Sequence, residues 1–194
     1  MSDVVYHGST VDIHDAYLKP LGASVHLNQE NALYLTESKS LAVNYALFWR
    51  SRPDEVRDLS YFDNSDNTWK TVVVVKSPEV LKGYIYETAR PTSSPVRYFD
   101  QKNNDFITEY QPDAKAVFAV TDEVKILGKQ LIDYNYLKAN PLPFPVAVVN
   151  KKHTFEQATA EIQKKLQELS NSSTKDSAEI ANRVKQILAA YTNN

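Results

Sequence analysis

The chain has 194 residues, 42% hydrophobic and 24% charged, with a net charge of −2; that is room for one good domain plus an appendage, and no electrostatic reason to expect DNA, RNA or an anionic membrane. It has no cysteine, and its four histidines (His7, His14, His26, His153) are scattered, so a disulfide scaffold is excluded and no metal site is expected. The opening residues lack the basic and long apolar regions of a signal peptide, and no apolar run approaches membrane-spanning length; a cytoplasmic protein without a membrane partner is the expectation.

In chain order, "VVY" (4–6) reads as a short first strand ending at His7. Residues 11–31, with Pro20 and Gly22, read as irregular. "ALYLT" (32–36) alternates Leu33 and Leu35 on one face, and Thr36 or Ser38 then caps a helix running to about Arg50, its stripe drawn from Leu41, Tyr45, Phe48 and Trp49. The polar stretch 50–70 reads as loop. "TVVVVK" (71–76) is a fully buried strand, and "GYIYE" (83–87) a half-buried one. Residues 88–104, with two prolines and two asparagines, read as loop, followed by short strands in "DFITEY", "AVFAVT" and "VKIL". Strands that follow one another without crossover helices predict an α+β fold with mostly antiparallel sheets.

Three prolines within 140–145 predict an extended segment. Composition then changes. Thr154 and Gln157 form a capping box ahead of apolar residues at 155, 158, 162, 166 and 169, and a second amphipathic helix carries Ile180, Val184, Ile187, Leu188 and Tyr191. The expected organisation is therefore a first domain over 1–150 and a C-terminal helical hairpin over 151–194. The hairpin's stripes dock on the domain, on a twin chain or on a partner.

Phosphate-loop, dinucleotide-fold and nucleophile-elbow motifs are all absent. What is present is an ordered set: His7-Gly8-Ser9 at a strand end, Tyr34 on a second strand, Tyr45 on the helix after it, and Glu109 within "FITEY". "YHGS", "YLTESKSLAVNY" and "TEY" together resemble the ADP-ribosyltransferase superfamily, in the histidine–tyrosine–glutamate branch shared by diphtheria toxin and the poly-ADP-ribose polymerases. The resemblance covers roughly residues 3–127. It implies split antiparallel sheets with flanking helices and NAD as co-substrate, without a metal. It also implies transfer of ADP-ribose to an acceptor, protein or nucleic acid, with release of nicotinamide.

By the same resemblance, Tyr34 and Tyr45 wall the nicotinamide slot, Gly8 lets the backbone approach the carboxamide, and His7 bonds a ribose hydroxyl. Glu109 binds the nicotinamide-ribose 2′-OH and sets negative charge beside the developing cation. Ser9 either helps hold the nicotinamide or caps the turn. Tyr34 and Tyr45 also suit a plain aromatic core, and Glu87 in "YIYET" competes with Glu109 for the acidic role. Ala42 stands where the polymerases have a serine, which favours a toxin-like relative, and Ile107 two residues before Glu109 disfavours an arginine acceptor. A mono-ADP-ribosyltransferase is the reading. An NAD glycohydrolase and a non-catalytic NAD-binding or interaction module, with self-association through the C-terminal helices, are the alternatives.

Overall fold

A computed structural model describes residues 4–20, 31–48, 54–93, 95, 97–100, 105–107 and 117–193. The fold mixes strands and helices in two compact units, Met1–Trp49 with Lys82–Ile132, and Arg50–Leu81 with Asp133–Asn194. The boundary expected at 150 therefore falls inside the second unit, because residues on both sides of it share one hydrophobic core. Among the described residues no helix is long and apolar enough to cross a membrane.

The first unit is built on an eight-stranded sheet. Its strands are β1 (Val4–Ser9), β2 (Tyr17–Leu18), β3 (Leu33–Thr36), β6 (Lys82–Ala89), β7 (Arg97–Asp100), β8 (Asp105–Ile107), β9 (Val117–Val120) and β10 (Val124–Asp133). They lie in the order β2-β10-β6-β1-β3-β9-β7-β8. β1 is antiparallel to both β3 and β6, as are β3 to β9, β9 to β7, β7 to β8 and β10 to β2. β7 lies inside the stretch read as loop, where Arg97–Asp100 pairs antiparallel with Asp105–Ile107. Val5, Leu33, Leu35, Tyr86, Phe118 and Val120 form the core on one side of this sheet.

Helix α1 (Lys39–Phe48) packs against the strands of this unit. Ser38 begins it, accepting the Leu41 N–H on its hydroxyl at 3.3 Å. The helix buries Ala42, Val43, Ala46 and Leu47, and leaves Leu41 and Tyr45 only partly covered. The small residues are the reason. A Cβ on Gly8 would stand 2.8 Å from the Ala46 nitrogen, and one on Gly83 2.6 Å from the Ala46 carbonyl carbon. Two glycines and two alanines let helix and sheet approach backbone to backbone, so the larger side chains flank the seam instead of filling it.

The second unit holds β4 (Val56–Asp63), β5 (Thr68–Val75), β11 (Val146–Val149) and β12 (Thr192–Asn193) in the order β12-β11-β5-β4. β4 corrects the loop expected at 50–70. It pairs antiparallel with β5 from Val56 opposite Val75 to Asp63 opposite Thr68, through a turn that holds Asn67 at φ 57. β11 pairs parallel to β5, so this sheet is mixed. A six-residue helix α2 (Tyr134–Ala139), capped by the Asp133 side chain, precedes the proline run. Helices α3 (Phe155–Ser170) and α4 (Ser177–Tyr191) lie where their periodicity predicts, and α3 carries the expected capping box. Their apolar stripes pack on Leu59, Tyr61, Val72, Val74, Ala147 and Val149. The hairpin thus docks on its own unit's sheet.

Candidate functional site

The candidate residues gather where β1 leaves β3. β1 pairs with β6 along its whole length, from Val4 opposite Ala89 to Ser9 opposite Tyr84, but with β3 only at Tyr6 opposite Thr36. Past that point the ladder between β1 and β3 stops. The His7 side chain crosses the opening, its Nδ1 lying 2.8 Å from the Tyr34 carbonyl oxygen.

That bond sets the histidine's chemistry. A carbonyl oxygen only accepts, so Nδ1 carries the proton and donates it. Burial pushes the His7 pKa below its ordinary value, with the Tyr34 carbonyl working weakly the other way. The ring is therefore neutral at neutral pH, and Nε2 is a lone-pair acceptor. Tyr86, fully buried directly across from His7 on β6, stands beside the imidazole at 6.4 Å between ring centroids. Its hydroxyl accepts the Ile13 N–H at 2.6 Å and lies 3.3 Å from the Val11 carbonyl, which ties down the segment that follows Ser9.

The pleat places the main chain of Gly8. Thr88 donates its hydroxyl to the Val5 carbonyl at 3.3 Å, so the peptide groups of Val5 face β6. Residues two apart face the same way, and those of His7 and Ser9 follow. The N–H and C=O of Tyr6 and Gly8 then face the other edge, toward β3. At Tyr6 they meet Thr36; at Gly8 they face the opening. The missing Cβ at position 8 serves α1, since that side of Gly8 is filled by the backbone of Ala42 and Ala46. The expectation that a Cβ would block a ligand is corrected accordingly: it would block the helix.

Tyr34 and Tyr45 are both partly buried, and desolvation raises the Tyr45 pKa. Tyr45 lies one turn along α1 from Ala42 and next to Ala46, flanking the seam on Gly8. The Ser9 hydroxyl accepts the Val11 N–H at 3.0 Å, a local turn that leaves its proton to donate. Glu109 lies outside the described residues. Its predicted strand is described as far as Ile107 in β8, three places from β3 across β9 and β7. The rival, Glu87, stands opposite Tyr6 on β6 with its carboxylate 3.9 Å from Lys39 Nζ. β1 separates it from the opening, so Glu87 is poorly placed to reach a ligand there.

The structure thus joins His7 to Tyr34 directly and seats Gly8 against the helix of Tyr45. Sequence reasoning missed Tyr86 and the Ala42–Ala46 seam. The one local signal for Tyr86 was a polar-tipped ring in the middle of an apolar strand. A cavity of about 580 Å³ among the described residues lies in the second unit, not beside His7. Compared with protein-family models, curated proteins and solved structures, the chain matches none.

Proposed function

We propose that this chain is a mono-ADP-ribosyltransferase that takes NAD as co-substrate, with a split-sheet core in the first unit. The observation that carries the reading is the parting of β1 from β3 just past Tyr6, where Gly8 faces the opening with a donor and an acceptor and His7 bridges it. A carboxamide offers the complementary pair, an acceptor oxygen and an N–H donor. His7 Nε2, as a neutral acceptor, suits a ribose hydroxyl. Tyr34 and Tyr45 supply ring faces from the strand and helix on either side. Ser9 adds a hydroxyl at the strand end. Glu109 is assigned the acidic role at the nicotinamide ribose by its place in "FITEY", and its charge would stabilise the cation that forms as nicotinamide departs. The acceptor is a protein or nucleic acid group, and the proposed place of action is the cytoplasm.

Nicotinamide release from NAD, followed with and without candidate acceptors, tests the reading. Acceptor-dependent release with ADP-ribose found on the acceptor is expected. Glu109→Gln should keep NAD affinity while slowing release by about 100-fold, because the lost charge acts mainly in the transition state. Full release without acceptor would make the chain an NAD glycohydrolase. Binding with no release would make it a non-catalytic NAD module.

A further inference from the structure

β1 and β2 follow one another in the chain, yet β6 and β10 lie between them in the sheet. Residues 10–16 must therefore cross two strands, and they do so without helix or strand structure of their own. Three strand spacings come to about 14 Å, whereas seven extended residues reach about 23 Å. The crossing is a strap with slack, so it can lift while β1 and β2 stay paired. What fastens it then decides how it behaves.

The fastenings are of unequal strength. Tyr86, fully buried on β6, takes the middle of the strap by its main chain. Its hydroxyl accepts the Ile13 N–H at 2.6 Å and donates to the Val11 carbonyl at 3.3 Å. Burial raises the Tyr86 pKa, so the proton that the second bond needs stays in place. The Ile13 side chain packs on the core that holds Val5, Leu18 and Tyr86. At the far end the Ala16 carbonyl accepts the Ile126 N–H at 2.9 Å. Asp12 pairs with the ammonium of Lys129 on β10, which also lies 5.1 Å over the Tyr84 ring. That ion pair is partly exposed, and salt screens such pairs. Tyr86 is the main anchor.

The same ring reaches the candidate site. Tyr86 stands directly across from His7 with ring centroids 6.4 Å apart, and Tyr84, across from Ser9, lies 6.4 Å from Tyr86. At such separations aromatic rings pack on one another. One phenol thus has its hydroxyl in the strap and its ring beside the imidazole that bridges β1 to β3. Lifting the strap takes both partners from the hydroxyl, and the ring is then no longer fixed. We propose that Tyr86 is a positioning residue for the candidate site, holding the His7 imidazole in place while the strap from Thr10 to Ala16 is closed. A closed strap presents His7 set for a ligand, and a lifted one does not. The proposal rests on the NAD reading only for the identity of that ligand.

Hydrogen exchange in the full ¹⁵N-labelled chain tests this without a ligand. The probes are the Ile13 amide and the His7 Nδ1–H, which is held on the Tyr34 carbonyl. Tyr86→Phe keeps the ring and deletes the hydroxyl, and should speed exchange of both probes about tenfold, the loss of two hydrogen bonds. The Val5 and Thr88 amides on β1 and β6 should keep their rates, which shows that the variant is folded. Tyr86→Leu removes the ring as well and should also shift the His7 imidazole signals, which Tyr86→Phe leaves in place. Lys129→Met, or about 0.5 M salt on the unaltered chain, should speed both probes about twofold, as befits an exposed pair. Neither touches the buried position, so both test the coupling even where Tyr86→Phe weakens the fold. An Ile13 amide unmoved by Tyr86→Phe overturns the strap. A His7 proton unmoved while Ile13 exchanges faster overturns the coupling. With NAD, Tyr86→Phe should raise KM about fivefold and leave kcat unchanged, the mark of a group that sets binding and not the chemical step. The exchange measurements decide the proposal without NAD, so an unaltered chain that releases no nicotinamide counts against the proposed function alone.

Discussion

His7 and Gly8 are adjacent, yet they answer to different constraints. His7 gives its one proton to the Tyr34 carbonyl and keeps a lone pair on Nε2. A neutral bond of that kind is worth about 1 kcal/mol, so His7→Ala should weaken NAD binding roughly fivefold. The pH dependence has a definite sign. The folded pKa lies below the ordinary 6.5, so the unfolded chain takes up a proton before the folded one does. The stability His7 contributes is full above 6.5 and is lost as pH falls through the folded pKa. NAD affinity should follow the same course in calorimetric titrations from pH 8 to 5, and His7→Ala should flatten the profile. Affinity that rises on acidification would mean an imidazolium donor and would sink the tautomer assignment. Gly8 is held by packing. Gly8→Ala drives a methyl into the backbone of Ala42, a contact no side-chain rotation relieves, and should cost about 3 kcal/mol in denaturant unfolding. Gly83→Ala should cost a similar amount against Ala46 although it is no part of the candidate site. A silent Gly8→Ala would mean that α1 is not seated as described.

At the scale of elements, what could be read from sequence was what repeats locally. α3 and α4 follow from apolar residues spaced three and four apart, β5 from its valine run, and the start of α1 from the pair Thr36 and Ser38, of which Ser38 caps it. β4 escaped because its alternation is broken: Val56 is buried, then Leu59, and only from there do Leu59, Tyr61 and Asp63 alternate. β7 escaped because four residues between prolines and asparagines carry no period, and only pairing with β8 and β9 makes them a strand. Periodicity predicts a helical stripe of large residues on α1, whereas the buried face is the small one, since Gly8 and Gly83 fix how close the helix comes. The candidate site divides the same way. The family resemblance carried by "YHGS" and "YLTESKSLAVNY" implies roles for His7, Gly8, Tyr34 and Tyr45, but the parting of β1 from β3 and the His7–Tyr34 bond are matters of cross-strand register. A register between segments 27 positions apart has no local signature.

At the scale of the molecule, the chain enters the second unit twice, over Arg50–Leu81 and again from Asp133 to Asn194. Neither passage can complete that unit alone. β4 and β5 bring Leu59, Tyr61, Val72 and Val74, and the hairpin brings Phe155, Ile162, Leu166, Leu169, Ile180, Val184, Leu188 and Tyr191 to cover them. The chain's end also closes the sheet, with β12 paired to β11 and the Asn150 N–H donating to the Tyr191 carbonyl at 2.9 Å. Each large buried side chain contributes about 1.5–3 kcal/mol. Losing eight of them removes about 12–24 kcal/mol, comparable to or above the roughly 5–15 kcal/mol that holds a typical domain together. A chain ended at Asn150 should therefore lose the second unit's fold, and is not a domain shorn of an appendage. Hydrogen exchange can separate the units. In the truncated chain the amides of Val72–Val75 should exchange as in an unfolded chain, and the exposed valine strand should lower solubility. Protection of those amides at full-length levels would mean that the sheet stands without its helices. Where enough soluble chain can be recovered, the amides of β1 and β6 measure how far the first unit folds alone, and retained NAD binding there would assign the candidate site to that unit.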